Sequence, residues 1–98
     1  MINASVAIQV LPKTIRSQDT IVIVDKVIEY IKSTGMHVFV GPFETTVEGD
    51  FDALMDMVKE CQRICIRAGA PSVLSYIKIQ YSPEDGVWTI DEKVSKHR

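Results

Sequence analysis

The segment HVFVGPFETTVEGDFDALMDM, residues 37–57, contains two short strand-like stretches followed by the start of a helix. The strands are predicted over residues 36–40 and 43–49, and the Gly-Pro pair between them is typical of a turn. From Asp50 onward, apolar residues recur every three or four positions, which predicts an amphipathic helix that stops at Gly69. The middle of the chain therefore has the predicted order strand, strand, helix.

One strand and one helix are predicted before this segment. Residues 2–11 alternate between apolar and polar side chains, as a half-buried strand does. A helix is predicted from Gln18 to Ser33, because apolar residues repeat there at helical spacing. Ser17 or Asp19 is expected near its N-cap, and Gly35 supplies a C-terminal stop.

A further strand and a short helix are predicted after the central segment. Residues 72–81 again alternate and form the predicted fourth strand. Thr89 and Glu92 have the spacing of a capping box, which predicts a short terminal helix. Trp88, just before it, is expected to anchor this C-terminal tail.

The resulting order β-α-β-β-α-β predicts an α+β, ferredoxin-like fold. Right-handed crossovers place the first and third strands in the centre of a four-stranded antiparallel sheet, with both long helices on one face. A chain of 98 residues is the size of a single domain, so we expect one domain over residues 1–98.

The composition argues against several classes of protein. The formal net charge is −2 and the basic residues are scattered apart from a C-terminal group, so a nucleic-acid-binding surface is not expected. No apolar run is long enough to span a bilayer, and the N-terminal residues lack the features of a signal peptide. These features predict a cytoplasmic protein with neither a nucleic-acid nor a membrane partner.

The reactive side chains do not form a pattern typical of an enzyme or a metal site. Cys61 and Cys65 lie four positions apart in a predicted helix, which is poor geometry for a disulfide, and we expect both thiols to be buried. Glu44 and Glu48 share a strand face but are separated by roughly 13 Å along the strand, too far for paired carboxylate chemistry. We therefore expect no catalytic residues, no metal and no cofactor.

Strand alternation divides the sheet into two faces. We expect the helix-covered face to include Val6, Ile8, Val38, Val40, Val47 and Ile77. The opposite face combines aromatic, aliphatic and hydrogen-bonding side chains, which suits packing against a second subunit around a polar pocket. A dimer or tetramer is expected. The residues predicted on this open face are Asn3, Ser5, Ala7, Gln9, His37, Phe39, Glu44, Thr46, Glu48, Leu74, Tyr76, Lys78 and Gln80.

Thr45 falls on the helix side by this alternation. A bulge near the Gly-Pro turn would shift the register by one residue and exchange Thr45 with Thr46. Which threonine faces the open side is left open by the sequence. Glu48 faces outward from a central strand, where a carboxylate needs a partner, and we expect that partner to be a ligand.

Two longer strings resemble a known family. GMHVFVGPFETTVEGDFDALMDMVKE (residues 35–60) and GVWTIDEKVSKHR (residues 86–98) are similar to the small bacterial and archaeal thiamine-binding proteins, single-domain relatives of YkoF. The resemblance implies a ferredoxin-like fold, assembly into dimers and tetramers through the sheets, and binding of thiamine or its hydroxymethylpyrimidine moiety. It implies no catalysis.

Under this resemblance the polar residues acquire roles toward the vitamin. A carboxylate accepts hydrogen bonds from the aminopyrimidine, hydroxyls complete its edge, and an aromatic ring faces the thiazolium cation. We expect thiamine to bind better than its diphosphate, because no Gly-rich phosphate loop is present. The alternative is an oligomeric structural or regulatory subunit that senses a different small molecule. The predicted ligand-binding residues are Glu48, Thr46, Thr45, Phe39, Ser5 and Tyr76.

Overall fold

A computed structural model describes residues 2–97 of the chain and contains one four-stranded sheet. None of its helices is long and apolar enough to cross a membrane, within residues 2–97. The elements are β1 (Ala4–Pro12), α1 (Ser17–Ser33), β2 (His37–Val40), β3 (Thr45–Gly49), α2 (Phe51–Arg67), β4 (Val73–Tyr81) and α3 (Ile90–Val94), followed by a 3-10 turn (Ser95–His97).

The sheet confirms the predicted topology. Its strand order is β2-β3-β1-β4 and every neighbouring pair is antiparallel, so β1 and β3 are central. The two long helices pack against each other and against β1, and their apolar faces join the same core. The fold is thus the expected βαββαβ arrangement with a short C-terminal helix.

The core lies between the two long helices and one face of the sheet. Val6 and Val47 contribute from the central strands and are fully buried. Ile31 contributes from α1, and Leu54 and Met57 from α2. Burial of such side chains stabilises the fold by roughly 1.5–3 kcal/mol each relative to leaving them exposed.

The two cysteines are free thiols in this core, as the sequence predicts. Burial, with a smaller contribution from Cys65, raises the pKa of the Cys61 thiol to about 12. Burial also raises the pKa of Cys65. Both thiols are therefore protonated at neutral pH, and they act as small apolar side chains.

The start of α1 differs from the prediction. The helix begins at Ser17, and its N-cap is Arg16, whose extended backbone has no side-chain capping hydrogen bond. Ser17 directly follows the cap and Asp19 lies in the first turn, so both are near the N-cap as predicted, and Asp19 pairs with the Arg16 guanidinium at 3.1 Å. The C-terminal stop is confirmed, since Gly35 follows the cap residue with a φ of +79°, which favours glycine.

The strand between the turn and α2 is shorter than predicted. β3 begins at Thr45, because the N–H of Gly41 donates to the carbonyl of Glu44 at 2.9 Å and closes a turn that includes Phe43. β1 likewise begins at Ala4 instead of residue 2. These shorter strands leave the alternation of the remaining residues unchanged.

The C-terminal tail runs over one end of the sheet face that the long helices leave open. The backbone N–H of Val87 donates to the carbonyl of Ile2 at 3.1 Å, and the capping box between Thr89 and Glu92 is present. Ile90 is only 4% exposed, whereas Trp88 is 62% exposed. The expectation that Trp88 anchors the tail is therefore wrong, and the buried Ile90 side chain does so.

Candidate functional site

Two cross-strand rows of the open sheet face have a defined order across all four strands. In the first row His37, Glu48, Ser5 and Gln80 lie side by side on β2, β3, β1 and β4. In the second row the order is Phe39, Thr46, Ala7 and Lys78. Residues that pair across strands share a face, so this register agrees with the predicted outward set.

A shallow depression of about 370 Å³ lies across these two rows. The small side chain of Ala7 leaves space between Thr46 and Lys78 on the flanking strands. The Lys78 ammonium donates to the Glu44 carboxylate across this space, at 2.9 Å. The depression is lined by Ser5, Ala7, Glu44, Thr46, Lys78, Ile79, Gln80 and Lys93.

Glu48 has a partner within the chain. Its side chain is nearly inaccessible, and the Oε2 atom accepts a hydrogen bond of 2.7 Å from the backbone N–H of Ile90. The other carboxylate oxygen lies 4.0 Å from Nε2 of His37. The partner that a buried carboxylate requires is thus supplied by the first residue of α3.

Thr45 lies on the opposite side of the sheet from Thr46. It is 6% exposed and lines a cleft of about 300 Å³ between α1 and the turn that joins β2 to β3. The apolar walls of the cleft are formed by Ile8, Val10, Val24, Val27, Ile28 and Ile31.

The lengths of the strands explain why this cleft exists. β3 pairs with β1 only as far as Thr45 opposite Ile8, while β1 continues to Pro12 alongside β4. The sheet edge beyond Ile8 is therefore uncovered by β3, and α1 closes the space from above. Gly41 is required in the adjoining turn, because a Cβ atom at this position would lie 2.9 Å from the carbonyl oxygen of Glu44.

Three residues that line the cleft are not among the ligand-binding residues predicted from the sequence. Thr20 lines the cleft and its hydroxyl hydrogen-bonds that of Thr14. Glu44 lines both the cleft and the open-face depression, and its carboxylate bonds Lys78 on the open face. Gly41 forms part of the turn, and the Gly-Pro pair was the one sequence signal that marked this position.

The six predicted ligand-binding residues do not form one cluster. Ser5, Phe39, Thr46, Glu48 and Tyr76 occupy the open face, and Thr45 alone lies in the cleft. Tyr76 pairs with Gln9 in the sheet and is not among the residues that line the open-face depression. Phe39 is 46% exposed and Tyr76 60% exposed, so both rings present apolar surface to water.

The part of the chain that the structure describes contains no group of three or more His, Cys, Asp or Glu side chains that could hold a metal ion. The two depressions are instead lined by hydroxyls, carboxylates, ammonium groups and apolar carbon. This combination suits an organic ligand with hydrogen-bonding groups.

Fold and sequence together define the class of this protein. A family model described as thiamine-binding protein matches residues 6–98, and the chain belongs to that family. A curated relative, the UPF0045 protein CPE1503 of Clostridium perfringens, is 48% identical over 98 residues and is covered completely, as is this chain. The family is named for binding a vitamin and not for a reaction.

Two solved structures are closely similar. A DUF77 domain of unknown function from Bacillus cereus has a TM-score of 0.88 and 44% identity, covering 98% of this chain and 90% of that chain. A putative thiamine biosynthesis/salvage protein from Thermotoga maritima has a TM-score of 0.86 and 40% identity, covering 98% of this chain and 99% of that chain. Both similarities extend over nearly the whole chain.

Proposed function

We propose that this protein binds thiamine or its hydroxymethylpyrimidine moiety and acts as a non-enzymatic carrier, store or sensor. The observation that carries the proposal is the family match over residues 6–98. The similarity to a putative thiamine biosynthesis/salvage protein supports it. The cytoplasmic location predicted from the sequence is part of the same proposal.

The pyrimidine ring is proposed to lie in the cleft beside α1. An aminopyrimidine has flat apolar faces and a polar edge, and the cleft offers apolar walls with few hydrogen-bonding groups. Thr45 is the buried polar residue on its β3 side, and it carries a hydroxyl group. That hydroxyl is available to bond a ring nitrogen or the exocyclic amine.

The thiazolium is proposed to extend from the cleft toward Glu44. Glu44 lines the cleft, and its carboxylate reaches the open face, where its present partner is the Lys78 ammonium at 2.9 Å. A fixed positive charge on the ligand can take the place of this ammonium. No Gly-rich loop is available for phosphates, so thiamine itself is expected to bind more tightly than its diphosphate.

The open face is proposed to pack against a second copy of the chain. Phe39, Leu74 and Tyr76 are 46%, 58% and 60% exposed on this face, a large apolar area for so small a protein. A dimer or tetramer buries it. Ser5, Thr46 and Glu48 lie on the same face and form the alternative position for the ligand, as the sequence first suggested.

A matched pair of variants tests the position of the ligand. Thr45→Val and Thr46→Val each remove one hydroxyl from adjacent residues that face opposite sides of the sheet. Thiamine and hydroxymethylpyrimidine are titrated calorimetrically into the wild type and both variants. Thr45→Val should weaken both ligands by roughly 0.5–1.5 kcal/mol, or about two- to tenfold, and Thr46→Val should have no effect.

The opposite pattern would move the ligand to the open face. If neither compound binds the wild type at millimolar concentration, the vitamin-binding proposal fails. A thermal-shift screen of other vitamins and amino acids then tests the alternative, a structural or regulatory subunit that senses a different small molecule.

A further inference from the structure

A second cavity lies on the other side of α1 from the Thr45 cleft. Its volume is about 460 Å³, within the range of roughly 300–1,000 Å³ typical of small-molecule sites. The α1 residues that line it are Asp19, Val22, Ile23 and Lys26, whereas the cleft is lined by Thr20, Val24, Val27, Ile28 and Ile31. The helix thus separates two cavities with different side chains.

The walls of this second cavity are largely apolar and face water. Ile15 precedes α1 and is fully exposed, and Val22 on the helix is 53% exposed. Ile23 forms the buried side of the cavity at 5% exposure, and Ala68 and Pro71 at the end of α2 form the opposite wall. Apolar carbon in contact with water favours an apolar ligand, because burying it is worth about 25 cal/mol per Å².

The charged groups at the rim are not balanced. Lys13 and Lys26 both line the cavity, and neither ammonium forms a salt bridge with another described residue. Asp19 is the cavity's one carboxylate among the described residues, and both of its oxygens bond the Arg16 guanidinium at 3.1 Å. With Asp19 neutralised by Arg16, the two lysines leave this rim positive in a chain whose net charge is −2.

The geometry points to a binding site for a small amphipathic carboxylate, such as a medium-chain aliphatic acid. The hydrocarbon chain would lie against Ile15, Val22 and Ile23, and the carboxylate would pair with Lys13 and Lys26. The positive rim disfavours thiamine, which is itself a cation, so this site is separate from the proposed vitamin site. The inference does not depend on thiamine binding.

Octanoate is the probe, titrated calorimetrically into the full chain at low ionic strength. Lys13→Gln/Lys26→Gln removes both rim charges, and Lys32→Gln/Lys59→Gln is the control because neither of those lysines lines the cavity. The first double variant should bind octanoate at least about tenfold more weakly, the loss of two charge-assisted contacts, and the control should bind as the wild type does. Thiamine affinity should stay the same in both.

The neutral analogue octanol and the cationic octylammonium separate charge from simple hydrophobicity. Both should bind more weakly than octanoate, and backbone NMR shifts on octanoate addition should centre on Val22 and Ile23 and not on Thr45. Absence of octanoate binding at millimolar concentration, equal binding by octanol, or unchanged affinity in Lys13→Gln/Lys26→Gln would each overturn the proposal. Binding to anionic lipid vesicles without binding to free octanoate would also overturn it, since the lysines would then serve a membrane surface.

Discussion

The carboxylate of Glu48 on β3 accepts a 2.7 Å hydrogen bond from the backbone N–H of Ile90, the first residue of α3. The two residues are 42 positions apart, and both are at least 95% buried. This contact joins the open face of the sheet to the C-terminal tail. It gives Glu48 a structural role in addition to any contact with a ligand.

The first prediction concerns this contact. Glu48→Ala should destabilise the protein by about 1–3 kcal/mol, because it leaves the Ile90 N–H without its buried acceptor. Glu48→Gln keeps an acceptor oxygen and should cost less. Urea unfolding gives the stability, and faster hydrogen exchange at the Ile90 amide in Glu48→Ala would show that α3 has loosened.

Glu84→Ala is the control, since Glu84 is an exposed carboxylate in the turn after β4. Equal stability of Glu48→Ala and Glu84→Ala would contradict the structural role of Glu48. With the ligand in the cleft, Glu48→Gln should leave thiamine affinity unchanged. A loss of about tenfold, as expected if Glu48 bonds the pyrimidine, would instead place the ligand on the open face.

The second prediction concerns the turn beside the cleft. Gly41→Ala should destabilise the fold by roughly 1–3 kcal/mol and weaken thiamine binding, because the added Cβ would lie 2.9 Å from the Glu44 carbonyl and must displace the turn. Pro42→Ala, in the same turn, is the control. Melting temperatures and thiamine titrations measure both effects, and a Gly41→Ala variant with wild-type affinity would show that the turn does not shape the vitamin site.

The third prediction concerns the core thiols. Because their pKa values are raised by burial, Cys61 and Cys65 should resist iodoacetamide at pH 8 in the native state and react fully in denaturant. Above the ordinary value of 9.0 the unfolded thiols lose their protons while the folded Cys61 keeps its own until about pH 12. The unfolded state then binds fewer protons, so the free energy of unfolding falls as pH rises through this window.

Urea unfolding at pH 8 and pH 10 tests this sign. Cys61→Ala/Cys65→Ala should start from a lower stability because of the cavities, but its stability should fall less steeply with pH. Parallel pH profiles for the two proteins would show that the thiols do not carry the effect. Rapid labelling of the native wild type at pH 8 would contradict the burial of the thiols.

The fourth prediction concerns assembly through the open face. Light scattering should give at least twice the 11.0 kDa mass of one chain, and Tyr76→Glu should shift the population toward that single-chain mass, because it places a charge within an apolar interface. Ile66→Glu, at a residue that is 48% exposed on α2, is the control and should leave the mass unchanged. A wild-type monomer at micromolar concentration would refute this interface.

Strand alternation carried most of the prediction from the sequence. It placed Glu48 on the open face, and the register of β3 against β1 agrees; the choice between Thr45 and Thr46, which the sequence left open, is made by this register in favour of Thr46. A period of two is a local property, so it survives even though β3 is shorter than predicted. The same reasoning placed Ser5 on the open face, where it pairs with Glu48.

The contacts that alternation could not supply are those between distant parts of the chain. The hydrogen bond from the Ile90 N–H to Glu48 depends on where the C-terminal tail packs against the sheet. The capping box predicts that a helix starts at this position, but it does not predict what the helix packs against. The cleft arises from the difference in length between β1 and β3, which the residues of the turn set by hydrogen bonding.

The last prediction separates the two halves of the vitamin. Glu44 is proposed to face the thiazolium, so Glu44→Gln should weaken thiamine, which carries the positive charge, and leave neutral hydroxymethylpyrimidine unaffected. The expected loss for thiamine is about three- to tenfold, since the carboxylate is partly exposed and its charge is screened by water.

Lys78→Gln removes the ammonium that now pairs with Glu44 at 2.9 Å and should strengthen thiamine binding, because the carboxylate no longer has a competing partner. Calorimetric titration of both compounds into the wild type and the two variants makes the comparison. Equal losses for thiamine and hydroxymethylpyrimidine in Glu44→Gln would mean that Glu44 contacts the pyrimidine or supports the turn, and unchanged affinities for both would remove it from the site.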